Sequence, residues 1–194
     1  MESSITLKNI EFFGKHAEII EKLSVTQDNI YSLEYSKPPL FNRMLDSIFI
    51  AGLVGLICKK KGSIDKSSNA KKTIFSDTVY KNMNDINFYS AIPIIKERDL
   101  SKTIEIKRAL FIEQYDGEEN YTQKRFQMFY SYVLGGLEIL YKEVLQKDSI
   151  DEVSIFSDFE EFIENLLKEN IDYNIDIDLD ADLDLNLDEE NKWQ

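Results

Sequence analysis

Apolar residues recur along most of this chain at spacings of three and four, the period of a helix with one buried face. Ile5, Leu7, Ile10, Phe13, Ala17, Ile20 and Leu23 predict an amphipathic helix over residues 5–23. Residues 24–38 read as a connection, and Pro38 and Pro39 suit the start of a new helix, where a missing N–H costs nothing. Residues 40–58 are apolar on most sides, which places that helix at the centre of the core. Gly52 and Gly55 within it suggest that another helix comes close, and Lys59, Lys60, Lys61 and Gly62 end it, with the glycine as its cap. A polar loop spans 63–72. Two helices fill 73–98, with a break near Asn84–Asn87 and Pro93 near the start of the second or kinking it. A further helix is expected at 101–114, followed by a turn at 115–120 around Gly117. Residues 121–147 form the longest helix, interrupted by Gly135–Gly136, a pair that implies a kink or a close helix contact. A last helix covers 157–169, with Ser157 as N-cap and Glu160 completing a capping box. The fold class is therefore mostly α, a single compact helical domain with at most a short hairpin.

The period changes to two after residue 170. From Ile171 to Asp188 every odd position is Ile, Tyr, Leu or Ala, and every even one is Asp or Asn. An extended chain with this pattern has one apolar face and one carboxylate face. The chain thus divides into a helical globular part, 1–170, and an acidic tail, 171–194. Residues 171–194 hold seven Asp, two Glu and one Lys, a net of −8 out of −13 for all 194 residues. The globular part is only mildly acidic.

Composition removes several function classes. An apolar fraction of 43%, with twelve Phe and ten Tyr, is ample for a packed core. One cysteine, Cys58, excludes an intrachain disulfide, and one cysteine with one histidine excludes a zinc set of those residues. His16 reads as a surface residue of the first helix. Glycines 52, 55 and 62 lack the spacing of a phosphate loop, and adjacent carboxylates such as Glu118–Glu119 diverge on a helix. No catalytic residue, metal or cofactor is assigned. The N-terminus does not read as a secretory signal, and the longest apolar run, eleven residues from Ile48 to Cys58, is about half a membrane span. The expected setting is cytoplasmic, with no membrane contact.

Two features point to partners. Lys59, Lys60, Lys61, Lys66, Lys71 and Lys72 are the one basic concentration, with phosphate contact as their functional reading and a solvated helix end as the plainer one. The run has no aromatic residue for base stacking, so direct nucleic-acid binding by the protein alone is not expected. The tail, through Ile175, Asp176, Ile177, Asp178, Leu179, Asp180, Asp182 and Leu183, is expected to order as an added strand on a partner's sheet edge. Same-face carboxylates about 6.8 Å apart, twice the ~3.4 Å strand rise, also admit mimicry of a DNA strand.

Phe49 to Ile64, FIAGLVGLICKKKGSI, and Phe129 to Leu140, FYSYVLGGLEIL, resemble segments of a small protein family associated with bacterial DNA phosphorothioation (Dnd) defence loci. Tyr132, Gly135, Gly136, Leu137 and Glu138 fall on the matching positions, and KTIFSD, Lys72 to Asp77, sits between the two segments. The likeness covers residues 40–146. The N-terminal extension and the tail depart from it, which leaves room for a related accessory subunit in a Lamassu-like complex. The resemblance implies a non-catalytic accessory subunit of an antiviral complex that binds a larger ATPase or nuclease. The alternative is an acidic DNA mimic or inhibitor whose tail occupies a partner's nucleic-acid channel.

Overall fold

A computed structural model describes residues 9–26, 38–96, 121–147 and 151–170. The expected helix at 101–114, the turn at 115–120 and the whole tail lie outside the described residues. In chain order the elements are β1 (Ile10–Phe13), α1 (Lys15–Leu23), α2 (Met44–Ile57), β2 (Lys71–Ile74), α3 (Ser76–Lys81), α4 (Met83–Lys96), α5 (Tyr121–Leu140) and α6 (Glu152–Asn170). A π-helical turn, Tyr141–Leu145, continues α5. The mostly α architecture is the one the periodicity predicts.

The core is built on α2 lying against α5. Leu45, Ile48, Ala51 and Val54 of α2 and Phe129, Val133, Leu137 and Leu140 of α5 are all buried. Their backbones meet directly. A β-carbon at Gly136 would collide with the carbonyl of Ala51, and one at Gly55 with the carbonyl of Tyr132. One at Gly52 would enter the ring of Phe129. The glycines foreseen as a close helix contact are therefore that contact, and no kink is needed to explain them.

The first element differs from expectation. Residues 5–23 read as one helix, yet Ile10–Phe13 form a strand and only Lys15–Leu23 are helical. Ile10 and Phe13 fit a helical face, but Ile10 and Phe12 are the pair that is buried, which is strand alternation. Gly14, at φ 54°, turns the chain between the two elements in a conformation that favours glycine. The partner strand, β2, pairs antiparallel with Ile10 opposite Ile74 and Phe13 opposite Lys71. Lys71 and Lys72 come from the segment read as a polar loop, and Thr73 and Ile74 from the start of the helix read over 73–98. No local pattern announces a strand of four residues whose partner lies some sixty positions away.

Smaller shifts have local causes. The helix expected from residue 40 starts at Met44, because Phe41 instead makes a parallel bridge to Ser24. The break between α3 and α4 falls at Asn82, before the Asn84–Asn87 stretch, and Pro93 sits well inside α4. The last helix begins five residues before Ser157. Asp151 accepts from the Ser154 N–H at 3.0 Å and acts as its cap.

The end of α2 is closed without glycine. Lys60 N–H donates to the Gly55 carbonyl at 2.8 Å and Lys59 N–H to Leu56 at 3.2 Å. This double closure puts Lys59 in the left-handed region at φ 53°. Gly62, expected as the cap, is used elsewhere. Its N–H donates to the Ser131 carbonyl at 2.8 Å, and it packs against Leu134 and Gly135.

Two stability predictions follow from the backbone. Gly136→Ala should destabilise more than Gly52→Ala, because a carbonyl fixed in a helix cannot rotate away whereas the edge of a ring can shift. About 1–3 kcal/mol is expected for overpacking at Gly136, read as the shift of the urea midpoint. Lys59→Gly should stabilise, since a non-glycine residue in the left-handed region costs roughly 1–2 kcal/mol; an unchanged or lower midpoint would contradict this.

Candidate functional site

The glycine seam brings charged groups together beside it. Glu138 lies two residues beyond Gly136 on α5, and Gly135 lets the chain after α2 lie against the same helix. Lys60 on that chain reaches Glu138 Oε2 at 3.0 Å. On the other side Gly14 turns the chain so that α1 begins next to α5. Lys15 Nζ then stands 2.9 Å from Glu138 Oε1, and His16 Nε2 stands 3.2 Å from the same oxygen. The start of α1 is held by Asp65, whose carboxylate accepts from Lys15 N–H at 2.8 Å and from Ser67 N–H at 2.9 Å. Those backbone donors hold Asp65 at about 2, below the usual carboxylate range.

One carboxylate therefore serves three partners from three parts of the chain. Burial alone would raise Glu138, but the ammonium groups of Lys15 and Lys60 outweigh it and hold it at about 2. His16 is 0% exposed, contrary to its reading as a surface residue. It faces α5, so the polar appearance of its sequence neighbours misplaces it. Burial lowers its pKa, against the pull of Glu138. Since a carboxylate only accepts, the geometry assigns the proton to Nε2. Nδ1 is then a bare acceptor with no hydrogen-bond partner among the described residues. A second proton there would add positive charge to a carboxylate already shared by two lysines.

Acid–base chemistry is a poor fit to this arrangement. Both oxygens of Glu138 are engaged, and the one imidazole is shut away from solvent. What the cluster does is clamp the start of α1 and the chain after α2 to α5. No sequence signal pairs positions 16 and 138; only the resemblance singled out Glu138.

The lysines read as phosphate contacts are largely engaged within the protein. Lys71 pairs with Glu11 at 2.8 Å, Lys72 with Glu21 at 2.7 Å and Lys60 with Glu138, while Lys61 lies over the ring of Tyr132. Lys71 and Lys72 also stand on opposite faces of β2, so they do not form one patch. Lys59, Lys60 and Lys61 are all exposed at the helix end. Of the motif residues, Tyr132, Gly136 and Leu137 are buried in the α2–α5 contact, Gly135 is buried against Lys60 and Gly62 of the chain after α2, and Glu138 is the clamp. Ile175, Asp176, Ile177, Asp178, Leu179, Asp180, Asp182 and Leu183 lie outside the described residues.

A groove of about 420 Å³ runs between the π-helical turn and α6, lined by Cys58, Glu143, Lys147, Phe162, Leu166 and Glu169 among others. Burial, then the neighbouring Glu143 and Glu169, push the Cys58 thiol up, which disfavours the thiolate that a nucleophile requires. Among the described residues no group of His, Cys, Asp and Glu is placed to hold a metal ion, and no helix is long and apolar enough to cross a membrane.

The clamp predicts two separate pH windows. His16 has a lowered folded pKa, so the unfolded chain binds its proton more readily. Its contribution is complete above the ordinary value of 6.5 and is lost as pH falls through the folded value. Glu138 contributes fully above the ordinary 4.5 and loses its contribution as pH falls towards about 2. Urea midpoints from pH 5 to 7.5 should fall on the acid side in the parent and flatten in His16→Gln. Glu138→Gln should destabilise at pH 7 by about 1–3 kcal/mol, the scale for removing charged hydrogen bonds, and should lose the slope below pH 4.5.

Comparison with known protein families, with curated proteins and with solved structures finds no match for this chain. The likeness to the phosphorothioation-associated family rests on the two quoted segments.

Proposed function

We propose that this chain is a non-catalytic accessory subunit of a bacterial antiviral defence complex, working in the cytoplasm by binding a larger nucleic-acid-handling ATPase or nuclease. The observation that carries an interaction role is the apolar surface of α3 and α4. Phe75, Tyr80, Phe88 and Ile95 are 67%, 69%, 66% and 57% exposed. Phe88 and Ile95 are seven apart, two turns along one face of α4. Exposed rings of this size are the usual anchors of protein interfaces. The internal pairing of Lys60, Lys71 and Lys72 supports a protein partner over direct phosphate contact. The choice of a defence complex comes from the resemblance alone.

The acidic tail favours a second reading, a DNA mimic or inhibitor that occupies a partner's nucleic-acid channel. The two readings place the binding energy on different residues. Recovery of partners from the native host by the tagged full chain, identified by mass spectrometry, separates them. An ATPase or nuclease should be recovered with the parent and lost at least tenfold with Phe75→Ser, Tyr80→Ser and Phe88→Ser combined, circular dichroism remaining unchanged. Loss on changing Asp176, Asp178, Asp180 and Asp182 to Asn, with the ring variant unaffected, would instead support the mimic. Salt-sensitive binding of labelled duplex by the parent alone would overturn the accessory reading.

A further inference from the structure

The groove between the π-helical turn and α6 holds about 420 Å³, within the roughly 300–1,000 Å³ of small-molecule sites. Its two walls are regular. In an α-helix, with about 3.6 residues per turn, a step of four overshoots a full turn. The turn at Tyr141–Leu145 closes five residues apart, with Gln146 N–H donating to the Tyr141 carbonyl at 2.9 Å, and takes that overshoot back. Ile139, Glu143 and Lys147, four apart, therefore stay on one wall. Such π-helical turns recur at functional sites. The facing wall is one stripe of α6, with Phe162, Asn165, Leu166 and Glu169 at spacings of three and four. Cys58, the residue after α2, also lines the groove.

Ile139, Phe162 and Leu166 give the groove apolar surface, and Glu143, Glu161 and Glu169 give it three carboxylates. Among the described residues that line it, Lys147 is the one cation, and it is already shared by Asp158 at 3.3 Å and Glu161 at 3.6 Å. Glu143 meets Lys142 at 2.8 Å, but that lysine is 74% exposed, and a surface pair of this kind is weak. Glu169 has no ion pair among the described residues. Glu143 and Glu169 both push the Cys58 thiol up, so carboxylates from the two walls act on one point. Helix ends add to the negative charge. Cys58 caps the C-terminus of α2, and Glu169 lies in the last turn of α6, where the free carbonyls favour a cation as neighbour. The protein meets that preference close by, since Lys96 Nζ donates to the Leu56 carbonyl in the last turn of α2 at 3.1 Å.

An occupant has to offer methylene groups to Phe162, Leu166 and Ile139 and positive charge to carboxylates on both walls. A bare metal ion lacks the first, and a ligand with a single ammonium serves one wall. We propose that the groove is a binding site for a linear aliphatic polyamine, with ammonium groups at Glu143 and Glu169 and its methylene chain along Phe162 and Leu166. A ligand in this place bridges α6 to the end of α5. The Phe159 ring of α6 rests edge-on against Phe41, with centroids 5.7 Å apart. Occupancy of the groove adds a second tie between the last helix and the core. The proposal is independent of the α3–α4 surface.

The test titrates the full chain with spermidine by calorimetry at physiological ionic strength. A net charge of −13 attracts any polycation, so the deciding variant changes shape and leaves charge alone. Asn165→Trp fills the groove from an exposed position of α6. Spermidine should bind the parent at one site. It should bind at least tenfold more weakly to Asn165→Trp, and at least tenfold more weakly to Glu143→Gln combined with Glu169→Gln, with circular dichroism unchanged in each. Equal affinity for the parent and Asn165→Trp would reduce the effect to counterion attraction by the acidic surface and overturn the site, as would a parent that binds no spermidine. The second probe is Nα-acetyl-lysine methylamide, which carries one ammonium and should bind at least tenfold more weakly than spermidine. Equal affinity for the two probes would give the groove to a lysine side chain of a protein partner and overturn the polyamine assignment.

Discussion

The contact between α2 and α5 is made by backbone as much as by side chains. At Gly55 and Gly136 each helix offers the other a surface with no β-carbon, and carbonyls of Ala51 and Tyr132 occupy the space. Such closeness fixes the helices along their axes as well as around them, since a slide of one residue would put a side chain where only hydrogen fits. The buried rows on both sides, from Leu45 to Val54 and from Phe129 to Leu140, can then interlock in one arrangement. The rest of the fold is hung on that pair. The chain leaving α2 is drawn along α5 through Gly62 and Gly135, and α1 is packed beside both.

Charge reinforces this geometry locally. Glu138 sits where the seam delivers Lys60 and where the turn at Gly14 delivers Lys15 and His16. Partial burial strengthens each attraction and makes an unpaired carboxylate expensive there. The carboxylate is satisfied by groups from three segments, so it acts as a register pin for the chain. The same economy governs the basic residues. A protein of net charge −13 places several of its lysines against its own carboxylates. The field offered to a polyanion is correspondingly weak.

Two surface features of the described residues stand apart from the packed core. One is apolar, on α3 and α4, where rings stand in solvent although core positions elsewhere in the chain are filled by residues of the same type. The other is the outer edge of β2, which β1 does not cover.

Much of this was legible in the chain and much was not. Helical period placed the long helices α2 and α5 to within a few residues, because a buried face repeats over many turns and outweighs local noise. The glycine pairs announced close packing, because glycine in a strong helix is costly unless something uses its absent side chain. The alternation after residue 170 is read from the sequence alone. Tertiary structure alone decided the rest. Residues 10–13 became a strand because residues 71–74 came to meet them, His16 became interior because α5 passes over it, and Lys59 took the left-handed cap because Gly62 was needed against α5. Phe75, Tyr80 and Phe88 stayed outside for the same kind of reason. Hydrophobicity says that a residue gains by burial, but whether a neighbour arrives to bury it depends on contacts between residues far apart in sequence, which no local pattern encodes.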